Sequence, residues 1–196
     1  MNQQMRTILS SILATAILMG APPSVAENLS HVEKLKATKK CEECDLTGAN
    51  LASMNLRGID LYRAKLSSAD LTGTDLRGAY LRRTDLTGAN LTNANLTNAN
   101  LTDTNLKNAN LTDADLYRAK LSGADLTGTD LRGAYLRRTE LTGANLTNAN
   151  LRGVHLTDTN LKNANLTNAD LTGAILEHAR FCKTTMPDKT VRNGNC

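Results

Sequence analysis

The sequence predicts a β-solenoid, a chain wound in short stacked coils around a column of leucine. Three observations carry this reading. Leu stands at 46, 51, 56 and every fifth position to 176, 27 times without a break, and Phe181 takes the next place. With that position called i, Ala or Thr stands at i−2 in 24 of 28 units, the exceptions being Cys44, Met54, Ile59 and Val154. At i+2, 22 of 28 are Gly, Asn, Asp or Ser, and 11 of the 13 glycines sit there. A period of five fits neither the 3.6 of an amphipathic helix nor the 2.0 of a half-buried strand.

Each preference has a physical meaning. Extended backbone alternates faces, so a long apolar residue with a small one two places before it puts both inside. Gly, Asn and Asp tolerate turn conformations, including positive φ. Each unit of five is therefore a short extended piece and a corner, and stacked coils of such pieces bury one continuous leucine column. Arg at i+2 (Arg63, Arg83, Arg118 and Arg138) argues that the corners do not require positive φ.

Repeats such as Ala49-Asn50-Leu51, Ala69-Asp70-Leu71-Thr72-Gly73 and Ala94-Asn95-Leu96-Thr97-Asn98 resemble the pentapeptide repeat family, written A(D/N)LXX. The resemblance covers about 140 of the 196 residues. It implies a right-handed quadrilateral β-helix with four pentapeptides to a coil. On that reading 28 repeats make seven coils, a rod about 34 Å long at the strand spacing of ~4.8 Å. The acids at i−1 agree with coils of four pentapeptides. They are Asp45, Asp60, Asp70, Asp75, Asp85, Asp115, Asp125, Asp130, Glu140 and Asp170, and no two differ by 20. Stacked like charges would repel. Lys65 instead falls between Asp45 and Asp85, and Lys120 beneath Glu140.

Both flanks leave the period. Met1 to Ala26 holds one charge, Arg6, then an apolar run from Ile8 to Met19 and the small-residue ending Ser24-Val25-Ala26. This reads as a signal peptide over 1–26, cut after Ala26. The 12-residue run is short of the roughly 20 a spanning helix needs, so no transmembrane segment is expected in the mature chain. Residues 27–42 read as an N-terminal cap with a short helix, since Ser30 and Glu33 form a capping-box pattern and Val32 and Leu35 lie on one side. The repeat occupies 43–182, and 183–196 reads as a capping tail.

An oxidising compartment makes the four cysteines disulfide candidates. Cys41–Cys44 with Cys182–Cys196 is the easiest of three connectivities, because the rod separates the pairs by about 30 Å. Cys41-Glu42-Glu43-Cys44 also admits redox and zinc readings, but Cys44 sits at an inward position and His31 is the only obvious further ligand. The stretches 37–46 and 181–188 are similar to exported cyanobacterial members, which implies the thylakoid lumen or periplasm.

Catalytic, cofactor and metal sites are expected to be absent. His31, His155 and His178 lie in separate regions, and no Ser/His/Asp or Cys/His grouping recurs on one face. Lys and Arg number 23 against 19 Asp and Glu, a net charge of +4 that becomes +3 without Arg6. That is too mild for a nucleic-acid binder and opposes an acidic gyrase-type DNA mimic.

Leu61 to Asp115 recurs as Leu116 to Asp170, identical at 48 of 55 positions. The copy is offset by 2.75 coils, so each copied residue lands one face over. One surface feature is repeated by it. Tyr62, Arg63, Tyr80, Arg82 and Arg83 share a face, with Asp103 stacked above Arg83; Tyr117, Arg118, Tyr135, Arg137, Arg138 and Asp158 are the copy. Arg and Tyr are favoured binding residues. The sequence thus predicts a non-enzymatic exported rod with an unknown protein partner, a monomer or an end-to-end dimer. The alternative is an envelope lipid or polysaccharide adhesion module.

Overall fold

The computed structural model describes residues 23–194 and 196. Of the expected signal peptide, all but residues 23–26 lies outside the described residues. Helix α1 spans Pro23–Thr38. Proline suits the first turn of a helix, where its missing N–H has no partner to lose, and the Ala, Leu, Glu and Lys that follow are good helix formers. Ser30 therefore lies inside the helix, and the capping box expected at Ser30 and Glu33 is not its N-terminus. Glu33 instead pairs with Lys36 at 2.8 Å. The helix ends where Lys39 turns left-handed (φ 53°) and donates its N–H to the Leu35 carbonyl.

From Lys40 to Thr185 the backbone forms parallel bridges between positions 20 apart, beginning Lys40↔Asp60 and ending Asn165↔Thr185. Every bridge falls at position i−1, one per five-residue unit, so four units close a coil and the rod has four sides. Face 1 carries residues 60, 80, 100 and onward by twenties, face 2 carries 65 and 85, face 3 carries 70 and 90, and face 4 carries 75 and 95. Winding brings the chain from face 4 directly back to face 1. Past the coils, β1 (Thr184–Thr185) and β2 (Val191–Arg192) form an antiparallel hairpin, with Thr184 opposite Arg192.

The unit around Leu91 explains the five-residue pattern. The Leu91 N–H donates to the Asn110 carbonyl at 2.7 Å and the Asn93 N–H to Thr112 at 3.0 Å, both on the next coil. The Asn90 N–H reaches Ala69 on the previous coil at 2.9 Å, and the Ala94 N–H closes the corner onto Leu91 at 3.0 Å. That leaves the N–H of Thr92, and Asn90 Oδ1 accepts it at 3.2 Å. Every Asn and Asp at i−1, 20 in all, accepts the i+1 N–H in this way. The repeat prefers Asx at i−1 because this short side chain satisfies the fifth donor of its own unit.

The corners correct one expectation. Every i+2 position from Glu43 to Lys183 has positive φ, including Arg63 (54°), Arg83 (56°), Arg118 (56°) and Arg138 (57°). A bulky L-residue there costs about 1–2 kcal/mol. It is held because the corner is bonded on both sides: Arg63 N–H donates to the Arg82 carbonyl at 3.1 Å and Ala64 N–H to Leu61 at 3.0 Å. The turn geometry overrides residue preference.

Inside, the leucines from 46 to 166 are buried, with Leu171 and Leu176 partly so at the last coil. Ala or Thr at i−2 fills the space beside them. The six threonines at i−2, and Thr184 beyond the last unit, are buried, and their hydroxyls donate to a leucine carbonyl of the preceding coil, as Thr74 does to Leu51 at 3.0 Å and Thr104 to Leu81 at 2.6 Å. No buried side-chain polar atom among the described residues lacks a partner. At the first coil, Leu35 of α1 is buried in the leucine cluster and Val32 packs against it. His31 Nδ1 accepts the Asp45 N–H at 3.2 Å, the kind of donor that higher coils direct to a coil below.

Two disulfides close the flanks. Cys41–Cys44 joins Cα atoms 5.2 Å apart, both residues buried at the first coil. Cys182–Cys196 joins Cα atoms 4.8 Å apart and returns the tail to the last coil. Arg192 lies over the buried Phe181 ring, 4.0 Å from its centroid.

The packing and the turn chemistry are each open to test. Leu101 is fully buried, so Leu101→Asp places a carboxylate in the leucine column and should cost about 4 kcal/mol or more. Urea unfolding followed by far-UV circular dichroism measures it, and an unchanged midpoint would contradict the inward assignment. The Asx turns also titrate. Hydrogen bonds from Thr72 hold Asp70 below the usual 3.8, and those from Thr172 do the same to Asp170. A depressed carboxylate pKa favours the ionised form in the native state, so its stabilisation is present above about pH 3.8 and fades as pH falls further. The melting temperature should drop below that pH, and less steeply in an Asp70→Asn/Asp170→Asn variant, whose amide oxygens still accept but do not protonate.

Candidate functional site

The coil geometry brings the two predicted Tyr/Arg groups onto neighbouring sides. Tyr62, Arg63, Tyr80, Arg82 and Arg83 stand on face 1 in adjacent coils, linked by the Asp60↔Tyr80 bridge. Tyr117, Arg118, Tyr135, Arg137 and Arg138 stand on face 4, linked by Asp115↔Tyr135. Since face 4 adjoins face 1, the groups form a diagonal band, the second higher on the rod by about 13 Å.

Within each group the side chains organise one another. The Arg63 guanidinium lies 5.3 Å from the Tyr62 ring centroid and donates to Glu43 Oε1 at 3.3 Å. In the copy, Arg118 lies 5.1 Å from the Tyr117 centroid, and Arg138 Nη1 donates to the Tyr117 hydroxyl at 3.4 Å. Such cation–π contacts at exposed sites are worth about 0.5–1 kcal/mol. Arg83 pairs with Asp103 at 3.8 Å and Arg138 with Asp158 at 3.5 Å, both across one coil. Tyr80 and Tyr135 remain open to solvent, 57% and 50% exposed.

Two members of the surface were missed by the sequence reading. His155 stacks on Tyr135, with centroids 5.4 Å apart and ring planes 19° apart. Ile175 follows one coil above, 37% exposed, through the bridge His155↔Ile175. Tyr135, His155 and Ile175 thus occupy three successive i−1 positions of face 4. The available signal was that all three replace Asx at the spacing of one coil. His178 belongs to the same face as His155, one coil later, while His31 lies on α1. Among the described residues no cluster of three or more His, Cys, Asp or Glu could hold a metal ion. No helix among them is long and apolar enough to cross a membrane.

The matching family model and one solved structure agree with this geometry. The family model for pentapeptide repeats matches at residues 44–83, 79–118, 114–153 and 149–186, in eight copies. Among solved structures the chain is similar to HetL, a pentapeptide repeat protein involved in heterocyst differentiation regulation in the cyanobacterium Nostoc. It shares 33% identity over 78% of each chain, with a TM-score of 0.52. A pentapeptide repeat protein of the Arabidopsis thaliana thylakoid lumen is 39% identical over 55% of this chain and 68% of that one, with a TM-score of 0.34. QnrB1, a plasmid-mediated fluoroquinolone resistance protein, is 19% identical over 70% and 74%, with a TM-score of 0.47. No curated protein sequence matches the chain. The continuous run of matched repeats and the bridges from coil to coil together establish that this chain belongs to the pentapeptide repeat family, with the right-handed quadrilateral β-helix that membership implies.

Proposed function

We propose that the chain is a non-enzymatic, exported interaction rod that presents the Tyr/Arg band of faces 1 and 4 to a protein partner. The observation that carries this is the band itself: two copies of one Tyr/Arg group, solvent-facing and set on adjoining faces of a rigid column. Arg and Tyr are the residues that dominate binding energy at protein interfaces, and a packed solenoid holds them at fixed spacing. Export is supported by the two disulfides, which persist in oxidising compartments such as the thylakoid lumen or periplasm. Residues 1–26 act as the signal peptide on this reading.

The rod has about seven coils over residues 43–182, with end caps built from α1 and the C-terminal tail. A solenoid end exposes apolar side chains and unpaired backbone unless something covers it. Val32, Leu35 and His31 fill that role at one end; Phe181, Met186 and the Cys182-linked tail fill it at the other.

Two measurements test the proposal. Opening the tail with Cys182→Ser/Cys196→Ser removes a loop constraint of about 3 kcal/mol. The melting temperature should fall by about 6–12 °C, and no change would mean that the tail does not cap the rod. Crosslinking pull-down with the mature chain from an exported-compartment extract should capture a partner that an Arg63/Arg83/Arg118/Arg138→Ser variant loses. An identical partner set in both would remove the band from the interaction.

A further inference from the structure

The four faces differ in a way that the repeat alone does not require. Twenty i−1 positions are Asn or Asp, and eight between 45 and 180 are not. Seven of the eight lie on faces 1 and 4: Tyr80, Lys120, Glu140 and Arg180 on the first, Tyr135, His155 and Ile175 on the second. Face 2 has one, Lys65, and face 3 has none. Each departure removes the acceptor for the i+1 amide of its unit. The N–H groups of Arg82, Ser122, Thr142, Cys182, Arg137, Thr157 and Glu177 accordingly have no acceptor among the described residues. Three of them stand on consecutive coils of face 4, about 4.8 Å apart.

Charge pairing divides the rod along the same line. On faces 2 and 3, Lys65, Lys107, Arg132 and Arg152 each pair with an aspartate of their own face. On faces 1 and 4, Lys40, Arg57, Arg82, Arg118, Lys120 and Arg137 have no carboxylate of the described residues within ion-pair distance. The same holds for Lys162, Arg180 and Lys183, and all nine cations are exposed. All four tyrosines belong to this half as well. Between positions 40 and 183 it carries 13 Lys and Arg against 9 Asp and Glu, whereas faces 2 and 3 carry 4 against 7.

We infer that this donor-rich half binds an extended, carboxylate-rich polypeptide segment, an inference that rests on the reading of the chain as a protein-interaction rod. Unpaired guanidinium, ammonium, tyrosine hydroxyl and backbone amide groups together call for acceptors with negative charge, and carboxylates meet all four. The nine acids interspersed among the cations select against a uniformly charged polyanion, such as a sulfated glycan, a nucleic acid or an anionic lipid sheet. Such a ligand brings charge opposite Asp103, Asp158 and Glu140 as readily as opposite the arginines. A polypeptide spaces its carboxylates with neutral residues and avoids that repulsion. Natural sequences break a local stability rule where function requires it; here the broken rule is the Asx acceptor, and the breaks gather on one side.

The test uses the full mature chain and a fluorescein-labelled peptide of alternating Glu and Ser, read by anisotropy at physiological salt. Tyr135→Asn/His155→Asn/Ile175→Asn restores the Asx acceptors of three consecutive coils. It should raise the melting temperature while weakening peptide affinity about tenfold. Arg82→Ser/Arg137→Ser should weaken affinity similarly, whereas Arg132→Ser/Arg152→Ser, with the same charge loss on face 3, should leave it within about twofold. Equal losses in the face 3 control overturn the inference. So does tighter, band-dependent binding of heparin or phosphatidylglycerol vesicles. If the peptide does not bind but the pull-down partner still depends on the band, the interaction reading stands and the acidic segment falls. If neither binds, both fall.

Discussion

Five backbone N–H groups in each five-residue unit must find acceptors while the chain turns a corner, and the rest of the rod depends on how they do. Two point to the next coil, one to the previous coil and one across the corner, as the Leu91 unit illustrates. The fifth has no backbone acceptor, and the i−1 Asn or Asp supplies one. This division of labour explains why the chain needs so few aromatic residues. Cohesion comes from a backbone ladder repeated at every unit and from a leucine column that the ladder keeps in register. The left-handed corner belongs to the same arrangement: with positive φ at i+2, the N–H groups of that position and the next reach their two acceptors in the coils from Glu43 to Asn168. A change at i+1 leaves this bonding intact, a change at i−1 removes the fifth acceptor, and a change at i or i−2 enters the column.

Much of this was legible in the sequence. The Leu period, the small side chains at i−2 and the turn formers at i+2 specify inward positions and corners, and the spacing of the i−1 acids agrees with the coil length that the family resemblance implies. The conformation of the Arg corners was not legible from residue preference. Arg63, Arg83, Arg118 and Arg138 disfavour positive φ as isolated residues, and the two bonds flanking each corner decide otherwise. The start of α1 was misplaced for a related reason: the Ser30 pattern is a local signal, and the helix extends through it to Pro23. The Tyr135–His155 stack escaped notice because attention went to residues shared by both copies, and His155 stands where the first copy has Asn100.

The internal duplication gives the surface its layout. An offset of eleven units carries the Tyr/Arg group from face 1 to face 4, and the adjoining faces then form one half of the rod. Of seven differences between the copies, two place Val154 and His155 where the first copy has Ala99 and Asn100. His155 abandons the Asx role and extends the open aromatic line from Tyr135 toward Ile175. The opposite half keeps its Asx turns, apart from the one at Lys65, and pairs all its cations. Both halves keep the backbone ladder, and the departures from the Asx turn gather on one of them.

Residue-resolved amide hydrogen exchange of the folded chain tests the fifth-donor rule most directly. Protection is expected at Thr92, Thr112, Thr147 and Thr167, whose N–H groups are held by Asn90, Asn110, Asn145 and Asn165. Fast exchange is expected at Arg82, Ser122, Arg137 and Thr157 in otherwise protected coils. Uniform protection, or uniform exchange, at all i+1 positions would contradict the rule.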